Sequence, residues 1–208
     1  TIGNLTADTY FRAVVKSGLC PEAYSAPLLI TANANSVGGT VGNAQTICAG
    51  TAPADLSLSN QVGNVVKWQK STDVNFTTFS DINATSTTLT TATIGNLTAD
   101  TYFRAVVQSG VCAEVFSSPV LITVNPLSAG GMVGSAQTIC SGTAPADLTL
   151  SNQVGYVLKW QKSTDVNFSN PVDIVATNTT LTSATIGNLT ANTYFRAAVQ
   201  SGVCAETN

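Results

Sequence analysis

The chain has 208 residues, of which 44% are hydrophobic and only 9% are charged, and its net charge is −3. The few basic side chains are scattered singly, which excludes an electrostatic footprint for nucleic acid and gives no basis for attraction to an anionic membrane surface. No apolar run reaches the roughly 18 residues of a transmembrane helix, so we expect no membrane insertion.

One stretch returns at a fixed spacing. TIGNLTADTYFRAVV begins at Thr1 and again at Thr93, and TIGNLTANTYFRAAV begins at Thr185, so the period is 92 residues. A fixed period indicates a tandem array, and a unit of this size can bury its own core. The chain therefore reads as an excerpt from a longer protein. The predicted domains are residues 1–33 (the C-terminal part of a repeat), 34–125 (a complete repeat) and 126–208 (a repeat lacking its last strand).

Short strands with turn signals between them follow one another along the chain. The first segment has two predicted strands, Thr9–Val15 and Ala26–Ala32. No helical period is present, so we predict an all-β fold with about seven strands in each repeat, arranged as a two-sheet sandwich. The strands predicted in the complete repeat are Asp55–Ser59, Val65–Lys70, a short edge strand within Ser71–Ile82, Thr87–Ile94, Thr101–Val107 and Pro119–Val124.

The large aromatic residues are predicted to lie in the core. Trp68 and Trp160 sit in alternating strands, and the alternation places Val66 on the same face as Trp68. Phe103, with its counterpart Phe195, belongs to the apolar set of the next long strand. These rings could also serve as sugar-stacking platforms, but core packing is the stronger interpretation.

The outer face of the same strands is the candidate binding surface. Tyr102 and Arg104 alternate with inward residues, so they share the outer face. Tyr156 stands where the previous copy has Asn64, and this difference adds it to the candidate surface. A solvent-facing pair without a ligand is the default interpretation of Tyr102 and Arg104.

The five cysteines fall into two phases of the repeat. Cys20, Cys112 and Cys204 are spaced by 92 residues, as are Cys48 and Cys140. One cysteine of each phase lies in each unit, which predicts the disulfides Cys48–Cys112 and Cys140–Cys204, with Cys20 paired outside the segment. Such bonds indicate an oxidising, extracellular setting. Buried free thiols are the alternative, and a zinc site is disfavoured because the chain has no His and no CxxC motif.

No catalytic, cofactor or metal site is predicted. The chain has no His to act as a base, and the carboxylates are widely spaced; Asp100, moreover, becomes Asn192 in the next copy. Asp73 and Asn75 with Asp81 might suggest a calcium loop, but they lack its density of oxygen ligands, so we expect a solvated turn. We therefore expect no enzyme activity in this segment.

Three stretches together resemble a known repeat family. They are QTICAGTAPADLSLS, VVKWQKSTDVNF and TYFRAVVQSGVCAE, which start at Gln45, Val65 and Thr101. Their order of Cys, strand Trp, aromatic-led strand and Cys is similar to immunoglobulin-like domains. More closely, they resemble the Ig-like repeats of very large Bacteroidetes cell-surface proteins, including gliding-motility adhesins exported by type IX secretion. The resemblance implies tandem immunoglobulin-like sandwiches in an elongated array.

The function implied by this resemblance is structural and adhesive. We expect the repeat region of a long extracellular cell-surface protein or filament, whose partners are surface polysaccharide or other cell-surface components, with self-association into fibres. Weak contacts would then add up over many copies. Two alternatives stay open: a spacer array in a secreted multidomain enzyme, and a carbohydrate-binding module that uses Tyr102 and Arg104.

Overall fold

The computed structural model describes residues 2–134 and 136–208, and its all-β architecture confirms the predicted class, with 41% strand and 4% helix. The segment 1–33 contains β1 (Thr9–Phe11), β2 (Val14–Val15), β3 (Ala23–Tyr24) and β4 (Leu28–Ile30). The next segment contains β5 (Thr40–Val41), β6 (Gln45–Cys48), β7 (Leu56–Ser59), β8 (Asn64–Ser71), β9 (Ser80–Ile82), β10 (Thr88–Leu89), α1 (Thr91–Ile94), β11 (Thr101–Gln108), β12 (Val115–Phe116) and β13 (Val120–Asn125). The last contains β14 (Met132–Val133), β15 (Leu148–Ser151), β16 (Tyr156–Ser163), β17 (Val172–Ile174), β18 (Thr180–Leu181), α2 (Ser183–Ile186) and β19 (Tyr194–Gln200).

The chain forms two compact units whose bounds cut across the sequence repeat. Unit 1 contains the described residues of Thr1–Ala44, Ala54–Thr93 and Thr101–Leu121. Unit 2 contains those of Gln45–Pro53, Ile94–Asp100 and Ile122–Asn208. The short β6 strand is thus separated from β7, its neighbour in sequence, and belongs to the same unit as the end of β13 and the segment after it.

In unit 1, β7 lies between β10 and β5, and β8 lies between β9 and β11. All of these pairs are antiparallel, and β12 adds to β11. The first segment contributes two small antiparallel pairs, β1 with β4 and β2 with β3. The alternating burial of β7 and of β11 turns one face of each strand to the core, as a sandwich requires. Trp68 and Phe103 are completely buried there.

In unit 2, β15 lies between β14 and β18, and β16 lies between β17 and β19. Trp160 is completely buried in a cluster formed by both sheets, and Phe195 is half-buried against that cluster. The second half of β13 pairs with β6 in parallel, with Ile122 opposite Gln45 and Asn125 opposite Cys48. The alternation of apolar and polar residues in the sequence does not predict this parallel pair.

The predicted placement of Val66 beside Trp68 on one face is wrong. Val107 pairs with Val65 and Val106 pairs with Lys67, so Val66 is passed over at a β-bulge. A bulge inserts one extra residue and reverses the side-chain alternation beyond it. As a result Val65 is buried together with Trp68, whereas Val66 is exposed.

The predicted strand Thr87–Ile94 is also interrupted. It forms two residues of β10 and then the single turn α1, with Ile94 buried. The carboxylate of Asp55 accepts a hydrogen bond from the first backbone N–H of this turn, at 2.7 Å from Thr91 N. In the next copy the hydroxyl of Thr182 accepts from Thr185 N at 3.3 Å and caps α2. Side-chain caps of this kind satisfy N–H groups that a strand would have paired in a sheet.

Candidate functional site

The outer sheet face that we predicted as a binding surface is occupied by internal contacts. Arg104 donates from Nε to Gln69 Oε1 at 2.8 Å. Its guanidinium lies 3.8 Å from the centroid of the Phe116 ring and 4.1 Å from that of Phe76. Gln69 is buried and also donates to Asp81 at 2.8 Å. Because burial removes water from it, the pKa of Arg104 is lowered from its ordinary value. The arginine is therefore part of a packed layer.

The two tyrosines of that surface lie in different units. Tyr102 is half-buried on β11 in unit 1, and Tyr156 is 79% exposed at the start of β16 in unit 2. On β19 of unit 2, Arg196 repeats the packing of Arg104: its guanidinium lies 4.3 Å from the Phe168 ring, and its Nε donates to Gln161 at 2.8 Å. The repetition indicates that this arginine stabilises each copy.

The turn beginning at Asp73 is held by its own backbone. The Asp73 carboxylate accepts from Asn75 N at 3.0 Å and from both the backbone and the hydroxyl of Thr77. Phe76 closes the turn in the left-handed region, with φ 54°, and its ring is buried against Arg104. These donors use the carboxylate oxygens that a calcium ion would need, and among the described residues no cluster of His, Cys, Asp and Glu could hold a metal.

The equivalent turn in unit 2 predicts a pH effect on stability. The pKa of Asp165 is lowered from 3.8, chiefly by the Ser169 hydroxyl and then by the backbone N–H groups of Asn167 and Ser169. Because the folded-state pKa lies below the unfolded one, the stabilisation is present above 3.8 and is lost as the pH falls through the folded value. Asp165→Asn should therefore lower the urea midpoint at neutral pH and lose this effect in acid. An equal loss at both pH values would contradict it.

The cysteine junction, which we define as Cys48, Asn125, Ser128 and the Ser201–Cys204 loop, lies entirely within unit 2. The junction begins with the parallel pair of β6 and β13, which places Cys48 opposite Asn125. Ala49 N then donates to Asn125 O at 2.8 Å, which extends the pairing by one residue. Two strands that end side by side thus bring the first cysteine to the point where the next sequence segment starts.

The second cysteine is brought there by a tight loop after β19. Cys204 N donates to Ser201 O at 2.9 Å and closes the loop. The loop is bound to the preceding linker, because Val203 N donates to Asn125 Oδ1 at 3.2 Å and Ser201 N donates to Ser128 Oγ at 2.9 Å. Asn125 therefore contacts both cysteine-bearing segments, one through its carbonyl and one through its side chain.

Cys48 and Cys204 form a disulfide across this junction, with a Cα–Cα distance of 5.1 Å. The predicted pairings Cys48–Cys112 and Cys140–Cys204 are wrong in this structure, where Cys112, Cys140 and Cys20 are free thiols. The bonded cysteines are separated by 156 positions in the sequence, which is one full period more than the separation of the two cysteines within a unit. The spacing alone permits both pairings, and the parallel addition of β6 to β13 decides between them.

Because Gly202 is closely packed, a substitution there tests the geometry of the junction. Gly202 has φ +50°, and a Cβ built on it would lie 2.1 Å from Asn125 Oδ1, the acceptor for Val203 N. Gly18, which occupies the equivalent position of the repeat, has a similar φ of +55° with nothing within 4 Å, so it is the matched control. Both changes to Ala carry about 1–2 kcal/mol of left-handed strain, and Gly202→Ala should cost about 1 kcal/mol more in urea unfolding because it displaces this hydrogen bond. Equal losses of unfolding free energy in the two variants would contradict this close packing.

The free thiols of Cys112 and Cys140 are held in the same local geometry as the bonded pair. Cys112 N donates to Ser109 O at 2.9 Å, and its Sγ lies 3.4 Å from Ala34 O, as Cys204 Sγ lies 3.3 Å from Pro126 O. Cys140 O accepts from Thr143 Oγ1 at 2.7 Å, as Cys48 O does from Thr51. Each free cysteine thus shares a local hydrogen bond with its bonded counterpart.

The disulfide is consistent with an extracellular or periplasmic protein, since such bonds persist in oxidising compartments. No helix in the described part of the chain is long and apolar enough to cross a membrane.

A family model described as Domain of unknown function (DUF8696) matches three consecutive segments, residues 1–34, 37–126 and 129–208. No curated protein matches the chain. In terms of these segments, Cys48 lies in the second match and Cys204 in the third. The disulfide thus joins two successive copies of the domain. Among the described residues no disulfide lies within one copy, since the remaining cysteines are free.

Proposed function

The chain belongs to the DUF8696 family, which it matches in three consecutive segments, and we propose that it is the structural and adhesive repeat region of a long extracellular cell-surface protein or filament. In this proposal each copy is an immunoglobulin-like sandwich and the segment itself has neither catalytic activity nor a cofactor. The observation that supports it is the disulfide between successive copies. A covalent bond at that place carries tension past the folded cores.

The disulfide would determine the path that a stretching force takes through the chain. Tension applied at the two ends of the chain runs along the backbone to Cys48, crosses the disulfide, and leaves through Cys204. Residues 49–203, which hold the cores around Trp68 and Trp160, lie outside this path. Their unfolding then adds no length, so the protein resists stretching even when a domain opens.

In a longer array of these repeats, the same disulfide in each repeat would enclose every part of the chain within at least one cross-linked loop. Each cross-link spans 156 positions, which is more than one period, so successive cross-links overlap. A load path would then alternate between a disulfide and the short stretch of chain from Cys112 to Cys140. Two periods would extend by about 100 Å instead of about 660 Å, at about 3.6 Å per residue.

Adhesion, in this proposal, comes from many weak contacts with surface polysaccharide or other cell-surface components. A dedicated glycan site at Tyr102 and Arg104 has less support, because the Arg104 guanidinium lies against the Phe116 and Phe76 rings and its Nε donates to Gln69.

Antibodies against the chain test this proposal on intact cells of the source organism. We expect labelling of unpermeabilised cells, its loss after surface proteolysis, and weaker attachment to surfaces when the repeats are deleted. Replacing Cys48 and Cys204 by Ser is the matched variant, because it keeps the sequence of the repeats and removes only the cross-link. Labelling only after lysis would contradict the cell-surface assignment, and normal attachment without the repeats would contradict the adhesive role.

A further inference from the structure

Two phenylalanine rings are exposed beside an arginine on the outer face of the sheet in unit 1. Phe116 on β12 is 54% exposed, and Phe79, directly before β9, is 50% exposed. The centroids of these rings lie 3.8 Å and 5.8 Å, respectively, from the guanidinium carbon of Arg104 on β11. We call Phe79, Arg104 and Phe116 the Arg104 patch. Apolar groups that are exposed next to one another on a folded surface indicate an interaction site.

The exposure of this face belongs to the repeat itself. The strands that hold the Arg104 patch, β8, β9, β11 and β12, all lie within the complete repeat and are paired with one another. The complete repeat has a copy after it and the last segment has one before it. The face is exposed in both, since Phe116 is 54% exposed in the first and Tyr194, the counterpart of Tyr102, is 43% exposed in the second.

The positive charge of Arg104 is not neutralised by any carboxylate of the described residues. It forms no ion pair there, and its one hydrogen bond runs from Nε to Gln69 at 2.8 Å. The carboxylate bonded to Gln69, that of Asp81, is paired with Lys67 at 2.7 Å. Burial already lowers the pKa of the guanidinium, so part of its hydration is lost and an anion is attracted more strongly than in bulk water. The two terminal amino groups therefore remain for an anionic ligand.

A ligand for this surface must combine a carboxylate with a flat apolar face. We propose that the Arg104 patch binds acidic polysaccharide: the carboxylate of a uronic acid accepts from the two terminal amino groups of Arg104, and the C–H face of a sugar ring packs on Phe79 or Phe116. The arginine fork matches a carboxylate in this bidentate manner. A uronic acid holds its carboxylate directly on the sugar ring, whereas an acidic peptide carries it on a flexible stem without a flat face.

This inference deepens the proposed adhesive function and rests on it. It names the ligand class for one weak surface contact, which differs from a dedicated sugar pocket. The internal contacts of Arg104 use Nε and the ring-facing side of the guanidinium, so they position the side chain and leave its terminal amino groups to the ligand.

The last segment contains the same arginine without the exposed rings. Arg196 repeats the contacts of Arg104 with a glutamine and a phenylalanine. Pro171 and Asn208, however, stand where the complete repeat has its two exposed phenylalanines. Because a cation alone offers no surface for the sugar ring, we expect no measurable binding at Arg196.

The test is an NMR titration of the full, isotope-labelled chain with trigalacturonic acid, an oligomer that is too short for avidity. The backbone amide signals of Phe79 and Phe116 and the Nε–H signal of Arg104 should shift together, with a dissociation constant on the order of 1 mM. Two matched probes separate the parts of the ligand. Neutral maltotriose has sugar rings without carboxylates, and triglutamate has carboxylates without sugar rings. Each should bind about tenfold more weakly.

Two variants and one control locate the binding in the Arg104 patch. Arg104→Lys keeps the charge but loses the planar fork, and it should weaken binding about fivefold. Phe116→Asn changes an exposed ring to the residue that the last segment has at this position, and it should weaken binding about threefold. Arg196→Lys makes the same exchange at the arginine without exposed rings and should leave the dissociation constant unchanged.

Several results would overturn the proposal. They are an absence of shifts at about 10 mM trigalacturonic acid, ten times the expected constant, and equal effects of Arg104→Lys and Arg196→Lys. Equal affinity for maltotriose would show that the charge is not recognised, and equal affinity for triglutamate would show that the sugar ring is not. The titration uses the purified chain, so its failure leaves the labelling of intact cells unaffected, and failed labelling leaves the measured affinity unchanged.

Discussion

Stretching a single molecule from its two ends should give a final length of about 190 Å under oxidising conditions and about 750 Å after reduction, at about 3.6 Å per residue. In the oxidised chain only the segments 1–48 and 204–208 can extend. The residues between them are enclosed by the disulfide and stay out of the force path.

Cysteine variants make this measurement specific. Replacing Cys20, Cys112 and Cys140 by Ser leaves the bonded pair and should keep the short length. Cys48→Ser should give the long final length expected after reduction. The pairings Cys48–Cys112 and Cys140–Cys204 would instead leave residues 1–48, 112–140 and 204–208 extensible, which corresponds to about 300 Å. A length near that value would contradict the junction seen here.

Removing the Trp160 side chain should destabilise unit 2 by about 3–5 kcal/mol, the range found for large-to-small changes in a core. Trp160 is 0% exposed and lies in the cluster that includes Leu148 and Leu181. Its Nε1 also donates to Asn178 O at 2.9 Å, so Trp160→Ala leaves this carbonyl without its partner as well as a cavity.

Tyr156→Ala is the matched control for this prediction, because Tyr156 lies on the same strand and is 79% exposed. It should change the free energy of unfolding by no more than about 0.5 kcal/mol. Urea titration followed by far-UV circular dichroism serves both variants, because this signal reports the strands of unit 2 and does not depend on Trp160. Similar losses of unfolding free energy in the two variants would show that Trp160 does not stabilise the core.

Most strands could be predicted because their chemistry is local. The alternation of Phe103, Ala105 and Val107 matches the buried positions of β11, and the pattern LSLS matches β7. An alternating strand needs only one apolar face, so its period is visible in the sequence. The bulge at Val66 was missed because two adjacent valines fit either face, and only the pairing with β11 chooses between them.

The cysteine junction could not be predicted because it depends on contacts that skip one period. The arithmetic of the cysteines is the same for partners within one unit and for partners one period further apart, since all positions repeat. The choice is made by Asn125, which contacts β6 through its carbonyl and the Cys204 loop through its side chain. The sequence QTIC, which pairs with β13 as a strand, has no apolar–polar alternation that would have indicated this pairing.

The most direct test of the account is tryptic peptide mapping of the alkylated, non-reduced chain. Cleavage after Lys and Arg places Cys48 in residues 17–67, Cys112 and Cys140 together in residues 105–159, and Cys204 in residues 197–208. The Cys48–Cys204 bond predicts that 17–67 is linked to 197–208, while 105–159 is recovered alone with two alkylated cysteines. Recovery of all three peptides as one linked species, with 105–159 bridging the other two, would contradict it.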